Sequence, residues 1–287
     1  MSSLARIADR SLRSVWLAVV AALVSLPQCA FADLMLFPKR IVFEKKDRTA
    51  QVTLVNNDSD PATYRISLKN RRMTESGALS VIDSPGPDDL FSDAMLRFSP
   101  HEVTLAPGAS QIVRILLRKP ADLAPGEYRS HLQFDKQPSV SAGNSIETPT
   151  AKPASGIGIS ITMLLGASIP VIVRHGETSA GAAISGLELQ GPTNGRPPSL
   201  AMVLERSGNR SLFGDLEVTF TPQGGTARSV AKLNGVAVYV PTPRRRMELA
   251  LTSADGMALE NGSLHVTFRE REEAGGALLA EATRQIP

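Results

Sequence analysis

A run of almost perfectly alternating side chains is the feature that most constrains the fold of this chain. Residues 156–165 read Gly-Ile-Gly-Ile-Ser-Ile-Thr-Met-Leu-Leu. Successive side chains of a β-strand point to opposite faces, so this period of two predicts a strand with one apolar face. Apart from Leu164, the alternation holds, and the other face is small or polar at Gly158, Ser160 and Thr162. The strand is therefore suited to lending its apolar face to another protein. The apolar face carries Ile157, Ile159, Ile161, Met163 and Leu165.

The N-terminus has the pattern of a secretory signal peptide. Three arginines precede an apolar run at residues 15–26, and residues 30–32 read Ala-Phe-Ala, the small residues expected before a cleavage site. We therefore predict a signal peptide at residues 1–32 and export of the chain that begins at Asp33. An uncleaved membrane anchor is the alternative, but the apolar run has about 12 residues where a spanning helix needs roughly 20.

The only cysteine of the chain, Cys29, lies inside this predicted signal. Its neighbours Pro27 and Gln28 do not favour a lipoprotein site. The exported chain then has no thiol for a disulfide or a metal, and its stability must come from buried cores, which suits two domains of ordinary size. Removal of three arginines and Asp9 lowers the net charge from +3 to about +1, which disfavours nucleic acid as a partner.

The rest of the sequence predicts an all-β protein of two immunoglobulin-like β-sandwich domains. Short strand-like segments are separated by Pro, Gly, Asn and Asp, and no segment shows a helical period. We predict a first domain at 33–168 and a second β-sandwich domain at 169–287, with 169–173 as a rigid connector. The strands predicted in the first domain are 34–43, 49–55, 63–68, 95–98, 111–117, 127–134 and 157–165. Those predicted in the second are 183–189, 201–205, 216–220, 229–233, 247–251 and 263–268.

Three local motifs have structural interpretations. Tyr128 follows a Pro-Gly turn and resembles a tyrosine corner, in which the phenol bonds to upstream backbone; a half-buried core tyrosine is the alternative. The run at 244–246 is three arginines, which we interpret as a solvated turn rather than a phosphate site. The pair Asp88 and Asp89 is predicted to lie in a solvated loop.

The sequence contains no motif that indicates catalysis. A nucleophile elbow, a glycine-rich phosphate loop and a His-Glu-x-x-His zinc motif are all missing. The four histidines are scattered, without the spacing of metal ligands. We therefore expect a protein that is not an enzyme and that binds no metal and no cofactor. The histidines are His101, His131, His175 and His265.

Several short motifs occur in an order typical of one family. They are Lys-Arg-Ile-Val-Phe at 39–43, Ala-Gln-Val-Thr-Leu-Val-Asn at 50–56, Val-Thr-Leu-Ala-Pro-Gly at 103–108, Gln-Ile-Val-Arg at 111–114 and Ile-Pro-Val-Ile-Val-Arg at 169–174. In this order, behind a signal peptide and ahead of a second β domain, they resemble the periplasmic pilus and fimbrial assembly chaperones. The resemblance covers roughly residues 33–175 and is weaker beyond.

This resemblance implies two immunoglobulin-like domains in a boomerang arrangement, located in the periplasm. Members of the family use the last strand of the first domain to complete an incomplete pilin sandwich, which is donor-strand complementation. A pilin that lacks its final strand exposes an apolar groove and unpaired backbone edges, which invite aggregation. By resemblance, the partners are exported pilus or fimbrial subunits and an outer-membrane usher. The subunit-binding residues are then Ile157, Ile159, Ile161, Met163 and Leu165.

The resemblance also implies charged site residues. The family binds the subunit's C-terminal carboxylate with an arginine on the first strand, where Arg40 falls, and with a lysine after the donor strand. Pro170 stands at the lysine position and cannot bind a carboxylate, so Lys39 or Arg174 is a candidate substitute. An exposed edge arginine is the alternative for Arg40. Arg174 also matches the family's interdomain ion-pair arginine, with Glu127 as its expected partner.

A second interpretation makes the chain a structural or adhesive component of a surface fibre that self-assembles through the same strand. The second domain and Arg40 favour the chaperone, because a fibre subunit is usually one incomplete sandwich. Without a client, the apolar strand is a patch that soluble proteins seldom leave bare. The predicted loop at 137–154 has few apolar residues to cover it. We therefore expect a weak homodimer in the absence of a client.

Overall fold

The computed structural model describes residues 34–138, 166–192, 196–252 and 259–287. It shows the predicted all-β fold, with two β-sandwiches that each enclose a core of their own. In this part of the chain, no helix is both long and apolar enough to cross a membrane. Nor does any cluster of His, Cys, Asp and Glu side chains within these ranges have an arrangement that could hold a metal ion.

The first sandwich packs a four-stranded sheet against a five-stranded sheet. The four-stranded sheet has the order β1 (Leu34–Phe37), β3 (Thr49–Asn56), β9 (Ser110–Leu117) and β7 (Leu96–Ser99). The five-stranded sheet has the order β2 (Ile41–Phe43), β11 (Gly166–His175), β10 (Gly126–Lys136), β4 (Ala62–Lys69) and β8 (Glu102–Leu105). A separate hairpin joins β5 (Arg71–Met73) to β6 (Leu79–Val81).

Period-two patterning builds the core of this sandwich. Every second side chain of β3 and β9 points inward, and Val52, Leu54, Val113 and Ile115 are each at most 2% exposed. Burying such a side chain fully stabilises the fold by about 1.5–3 kcal/mol. One apolar face per sheet is therefore sufficient to hold the two layers together.

The second sandwich packs a three-stranded sheet against a four-stranded sheet. The first has the order β12 (Ala180–Gln190), β13 (Ser199–Gly208) and β16 (Arg244–Ala250). The second has the order β15 (Arg228–Val238), β14 (Leu212–Pro222), β17 (Gly262–Arg269) and β18 (Leu278–Ile286). Alternate residues of β14, from Leu212 to Phe220, are buried in its core.

The predicted connector at 169–173 is wrong. These residues form the middle of β11, which pairs with β10 in an unbroken antiparallel register from Gly166 to His175. A continuous run of Ile and Val is typical of a strand buried on both faces rather than of a linker. The predicted first strand, 34–43, is two strands, because the chain passes from one sheet to the other at 38–40, where Pro38 has no N–H for the ladder. The strands β5, β6, β8 and β18 were not predicted.

Of the local motifs, the tyrosine corner is confirmed, the arginine turn is wrong, and the solvated loop is right for Asp88 but not for Asp89. The hydroxyl of Tyr128 donates to the carbonyl oxygen of Ala124 at 2.9 Å. The three arginines at 244–246 begin strand β16 instead of forming a solvated turn. Asp88 and Asp89 lie in a loop, where Asp88 is exposed, but the Asp89 side chain is 2% exposed and forms an ion pair with Arg72. The signal peptide, most of the loop at 137–154 and the strand at 157–165 lie outside the described residues.

Candidate functional site

The candidate site lies between the two sandwiches, on the outer face of the five-stranded sheet. Even-numbered residues of β10, such as Tyr128 and Leu132, face the first core, so the odd-numbered ones leave it. Three of these are buried polar residues: two contact Tyr239 of the second sandwich, and the third pairs with Arg174 beside it. A small apolar cluster of Met73, Ile172, Ala237 and Tyr239 joins the two halves beside them. The three residues are Glu127, Arg129 and His131.

Arg40 is held in this region by aromatic rings of the second sandwich. It follows the sheet-to-sheet crossing of the chain and is partly buried. Its Nη1 donates to the hydroxyl of Tyr239 at 3.3 Å, and its guanidinium carbon lies 4.3 Å from the centroid of the Phe213 ring. Burial lowers the pKa of Arg40 below its ordinary value, but an arginine remains charged at neutral pH. The guanidinium carbon also lies 5.6 Å from the centroid of the Tyr239 ring, so the cation is positioned by one hydrogen bond and two cation–π contacts.

A cleft of about 310 Å³ opens beside Arg40, with residues of both sandwiches along its walls. Most charges along it are already paired: Arg174 with Glu44, and Arg271 with Glu273. Within the described residues, the side chain of Arg210 forms no hydrogen bond or ion pair, and Arg40 has only the neutral phenol of Tyr239 as a hydrogen-bond partner. The cleft therefore presents two guanidinium groups without a carboxylate partner, and Glu270, which also lines it, is the one carboxylate there without a cation partner among the described residues.

The structure brings Glu127 and Arg174 together as directly opposite residues of β10 and β11. The Nε of Arg174 lies 3.1 Å from Oε2 of Glu127, whose side chain is fully buried. A buried carboxylate needs such a cation, because removing it from water without a partner costs several kcal/mol. Both residues belong to the first sandwich, so the pair lines the edge of the cleft and does not itself join the two domains.

A buried basic cluster lies deeper along the same face and was not predicted from the sequence. Arg129 is 2% exposed, with its guanidinium carbon 4.1 Å from the ring centroid of Tyr239 and its Nη2 donating to the carbonyl of Arg71 at 3.0 Å. Its Nε and Nη1, and both ring nitrogens of His131, have no hydrogen-bond partner among the described residues. Burial lowers the pKa of Arg129 to about 10 and that of His131, also repelled by Arg129, to about 3.

The polar residues of β10 did carry a signal that could have revealed this cluster. Glu127, Arg129 and His131 alternate with residues that include apolar Tyr128 and Leu132, which indicates a strand with one core face and one polar face. Polar residues in the middle of a strand are ordinarily solvated. Here Tyr239 of the second sandwich packs against Arg129 and His131, while Arg174 of the first sandwich pairs with Glu127.

The predicted donor residues 157–165 lie outside the described residues, directly before β11. Among the described residues, the edge of β11 next to them is open, because β2 pairs in parallel only with Val171–Val173. Within the described chain, Gly166–Ser168 therefore have a ladder partner on the β10 side alone. Lys39 is exposed and does not line the cleft, whereas Arg174 does.

Comparisons with known proteins give a similarity of fold. No known protein-family profile and no curated protein matches the chain. The YadV chaperone is 9% identical, over 89% of this chain and 100% of its own, with a TM-score of 0.44. A chain of the CsuC–CsuE chaperone–tip subunit pre-assembly complex from Csu pili of Acinetobacter baumannii is 10% identical over 89% and 98%, with a TM-score of 0.42.

A chain of the complex of the SafA pilin with the SafB chaperone from Salmonella enterica is 13% identical, over 90% of this chain and 99% of its own, with a TM-score of 0.41. Because the identities and the TM-scores are both low, we derive the function of this chain from its own residues. The solved structures that this chain resembles are those of pilus chaperones.

Proposed function

We propose that this protein is a periplasmic chaperone that captures exported pilus or fimbrial subunits by donor-strand complementation. The observation that carries the proposal is the open edge of β11 at Gly166–Ser168, directly continuous with the alternating apolar run. An open edge offers unpaired backbone groups to a second chain, and the alternating side chains supply the apolar contacts that such pairing needs.

The alternation of side chains along β11 supports the same role. Ile169, Val171 and Val173, at odd positions of β11, face the core between the two sheets. In an unbroken extension of the strand, the five donor residues, also at odd positions, share that inner face. Each contributes up to about 1.5–3 kcal/mol when a subunit groove buries it fully.

Strand β1 adds a second apolar element at the same side of the sandwich. It is an edge strand, and three residues separate it from β2, the neighbour of β11. Phe37 is 76% exposed and Met35 is 55% exposed. Large apolar side chains so exposed beside an open strand edge favour a binding surface for an apolar partner.

We also propose that Arg40 and Arg210 bind the C-terminal carboxylate of the subunit. The sequence offered Lys39 or Arg174 as substitutes for a lysine at position 170. Arg174 is already paired with Glu127 and Glu44, and Lys39 lies outside the cleft. Arg210 lines the same cleft as Arg40 and is unpaired within the described residues. A charge-assisted hydrogen bond to a carboxylate is worth about 1.5–3 kcal/mol.

The other elements of the proposal follow from the sequence. The signal peptide at 1–32 directs export, and an outer-membrane usher receives the loaded chaperone. The domain boundary, predicted between 168 and 169, is instead proposed at 176–179, because β11 pairs with β10 of the first sandwich along its whole length. The protein acts without catalysis, cofactor or nucleic acid, and it forms a weak homodimer when no client is bound.

The test is capture of subunits by a donor-strand variant. Ile159→Asp with Ile161→Asp should abolish copurification of pilin-like subunits from the periplasm, identified by mass spectrometry. Ser160→Asp with Thr162→Asp is the matched control, because it places the same charges on the opposite face. Both variants should retain the circular dichroism of the parent. Unfolding of the first variant, or equal capture by both, would contradict donor-strand binding.

A further inference from the structure

The β5–β6 hairpin of the first sandwich contacts the second sandwich at the three-arginine run. Glu75 lies in the turn of the hairpin. Its Oε1 lies 2.6 Å from Nε of Arg244, and its Oε2 lies 3.0 Å from Nε of Arg246. One carboxylate thus holds two cations of β16, and these guanidinium groups lower its pKa below the ordinary value.

Backbone and buried contacts reinforce this ion pair. The amide of Arg246 donates to the carbonyl oxygen of Glu75 at 2.6 Å, so the hairpin covers the open edge of β16. The hydroxyl of Thr242 donates to the carbonyl oxygen of Met73 at 2.6 Å in a buried position. The Met73 side chain, 4% exposed, belongs to the apolar cluster shared by the two sandwiches.

The hairpin turn is shaped for this contact. Gly77 has a positive φ of 85°, and a Cβ atom at this position would collide with the side chain of Arg245. Arg245 instead lies across the turn and donates from Nη1 to the carbonyl of Ala237 at 2.9 Å. Only glycine allows both the turn and the close approach of the arginine.

We infer that the β5–β6 hairpin is a clasp that fixes the orientation of the second sandwich relative to the first. The two ion pairs are mostly solvent-exposed, so they contribute little to global stability. Their role is to hold the hairpin on β16, which keeps Phe213 and Tyr239 over Arg40 and sets the width of the cleft. This inference does not depend on the proposed chaperone function.

The clasp is tested by measuring hydrogen exchange of the Arg246 amide in Glu75→Gln. This substitution removes the charge of the side chain but keeps its shape. Loss of two solvent-exposed ion pairs implies that the Arg246 amide exchanges about two- to thirty-fold faster. Glu102→Gln is the matched control, because it breaks the exposed pair of Glu102 with Arg65 inside the first sandwich. Both variants should melt at the temperature of the parent.

A charge reversal distinguishes the loss of the ion pairs from a general loosening of the hairpin. Glu75→Arg should accelerate exchange further, and adding Arg244→Glu with Arg246→Glu should restore the parent rate. Spin labels on cysteines at Gln111 and Gln285 report the orientation, since Cys29 leaves with the predicted signal. The distance distribution should broaden in Glu75→Gln and narrow again in the triple variant. Unchanged Arg246 exchange, or equal acceleration in Glu102→Gln, would overturn the inference.

Discussion

Replacing Arg40 by methionine should destabilise the protein measurably, and the structure gives the size of the effect. The change removes one hydrogen bond to the Tyr239 hydroxyl, worth about 0.5–1.5 kcal/mol, and two cation–π contacts, of which the closer, with Phe213, is worth about 0.5–2 kcal/mol and the other is with Tyr239. The desolvation that lowers the pKa of Arg40 offsets part of this sum. We therefore expect a net loss of about 1–2 kcal/mol, which corresponds to a fall in Tm of about 2–8 °C.

The matched control is Arg210→Met, which lies in the same cleft and removes no contact within the described residues. It should leave the Tm unchanged, whereas both variants should weaken binding of a subunit that has a free C-terminal carboxylate. The only tryptophan, Trp16, lies in the predicted signal, so unfolding is followed by circular dichroism in urea and on heating. Equal Tm values for parent and Arg40→Met would refute the assignment of Arg40 to the aromatic contacts.

Three further predictions follow from the described contacts and the sequence. Tyr128→Phe deletes the hydrogen bond to Ala124 and should cost about 0.5–1.5 kcal/mol in urea unfolding without changing client capture; an unchanged midpoint would contradict the corner. Folding lowers the pKa of His131 from 6.5 to about 3, so the unfolded chain takes up a proton first and stability falls as the pH drops below about 6.5, by up to about 1.4 kcal/mol per pH unit. His131→Gln should reduce that slope and His101→Gln should not, as melts between pH 7 and 5 will show. Light scattering over a concentration series should reveal weak client-free dimers, which Ile159→Asp with Ile161→Asp removes; a strict monomer at high concentration argues against strand pairing.

Much of the fold could be predicted because its signal is local. Strands such as β3 and β9 alternate apolar and polar residues along a single segment, and the Pro-Gly turn before Tyr128 identifies the corner. The prediction of a connector at 169–173 was wrong because a largely apolar run is compatible either with a linker or with a strand that is buried on both faces. Only the register with β10 decides between them.

The cleft could be predicted only in part, because its residues come together from both sandwiches. The resemblance indicated Arg40, but no local pattern shows that Phe213 and Tyr239 hold it. The burial of Arg129 and the pairing of Arg244 and Arg246 with Glu75 likewise depend on how the two domains meet. Charge runs are ordinarily solvated, so the sequence favoured a turn at 244–246.

Hydrogen exchange of the alternating strand with and without a bound subunit tests the central claim most directly. The protein is coexpressed with the subunits that it captures, and the complex is compared with the client-free chain below the concentration at which it dimerises. The account predicts that the amides of residues 157–165 gain protection on binding, together with Gly166–Ser168 at the open edge of β11. Protection confined to the second sandwich, with unchanged exchange at 157–168, would contradict donor-strand complementation.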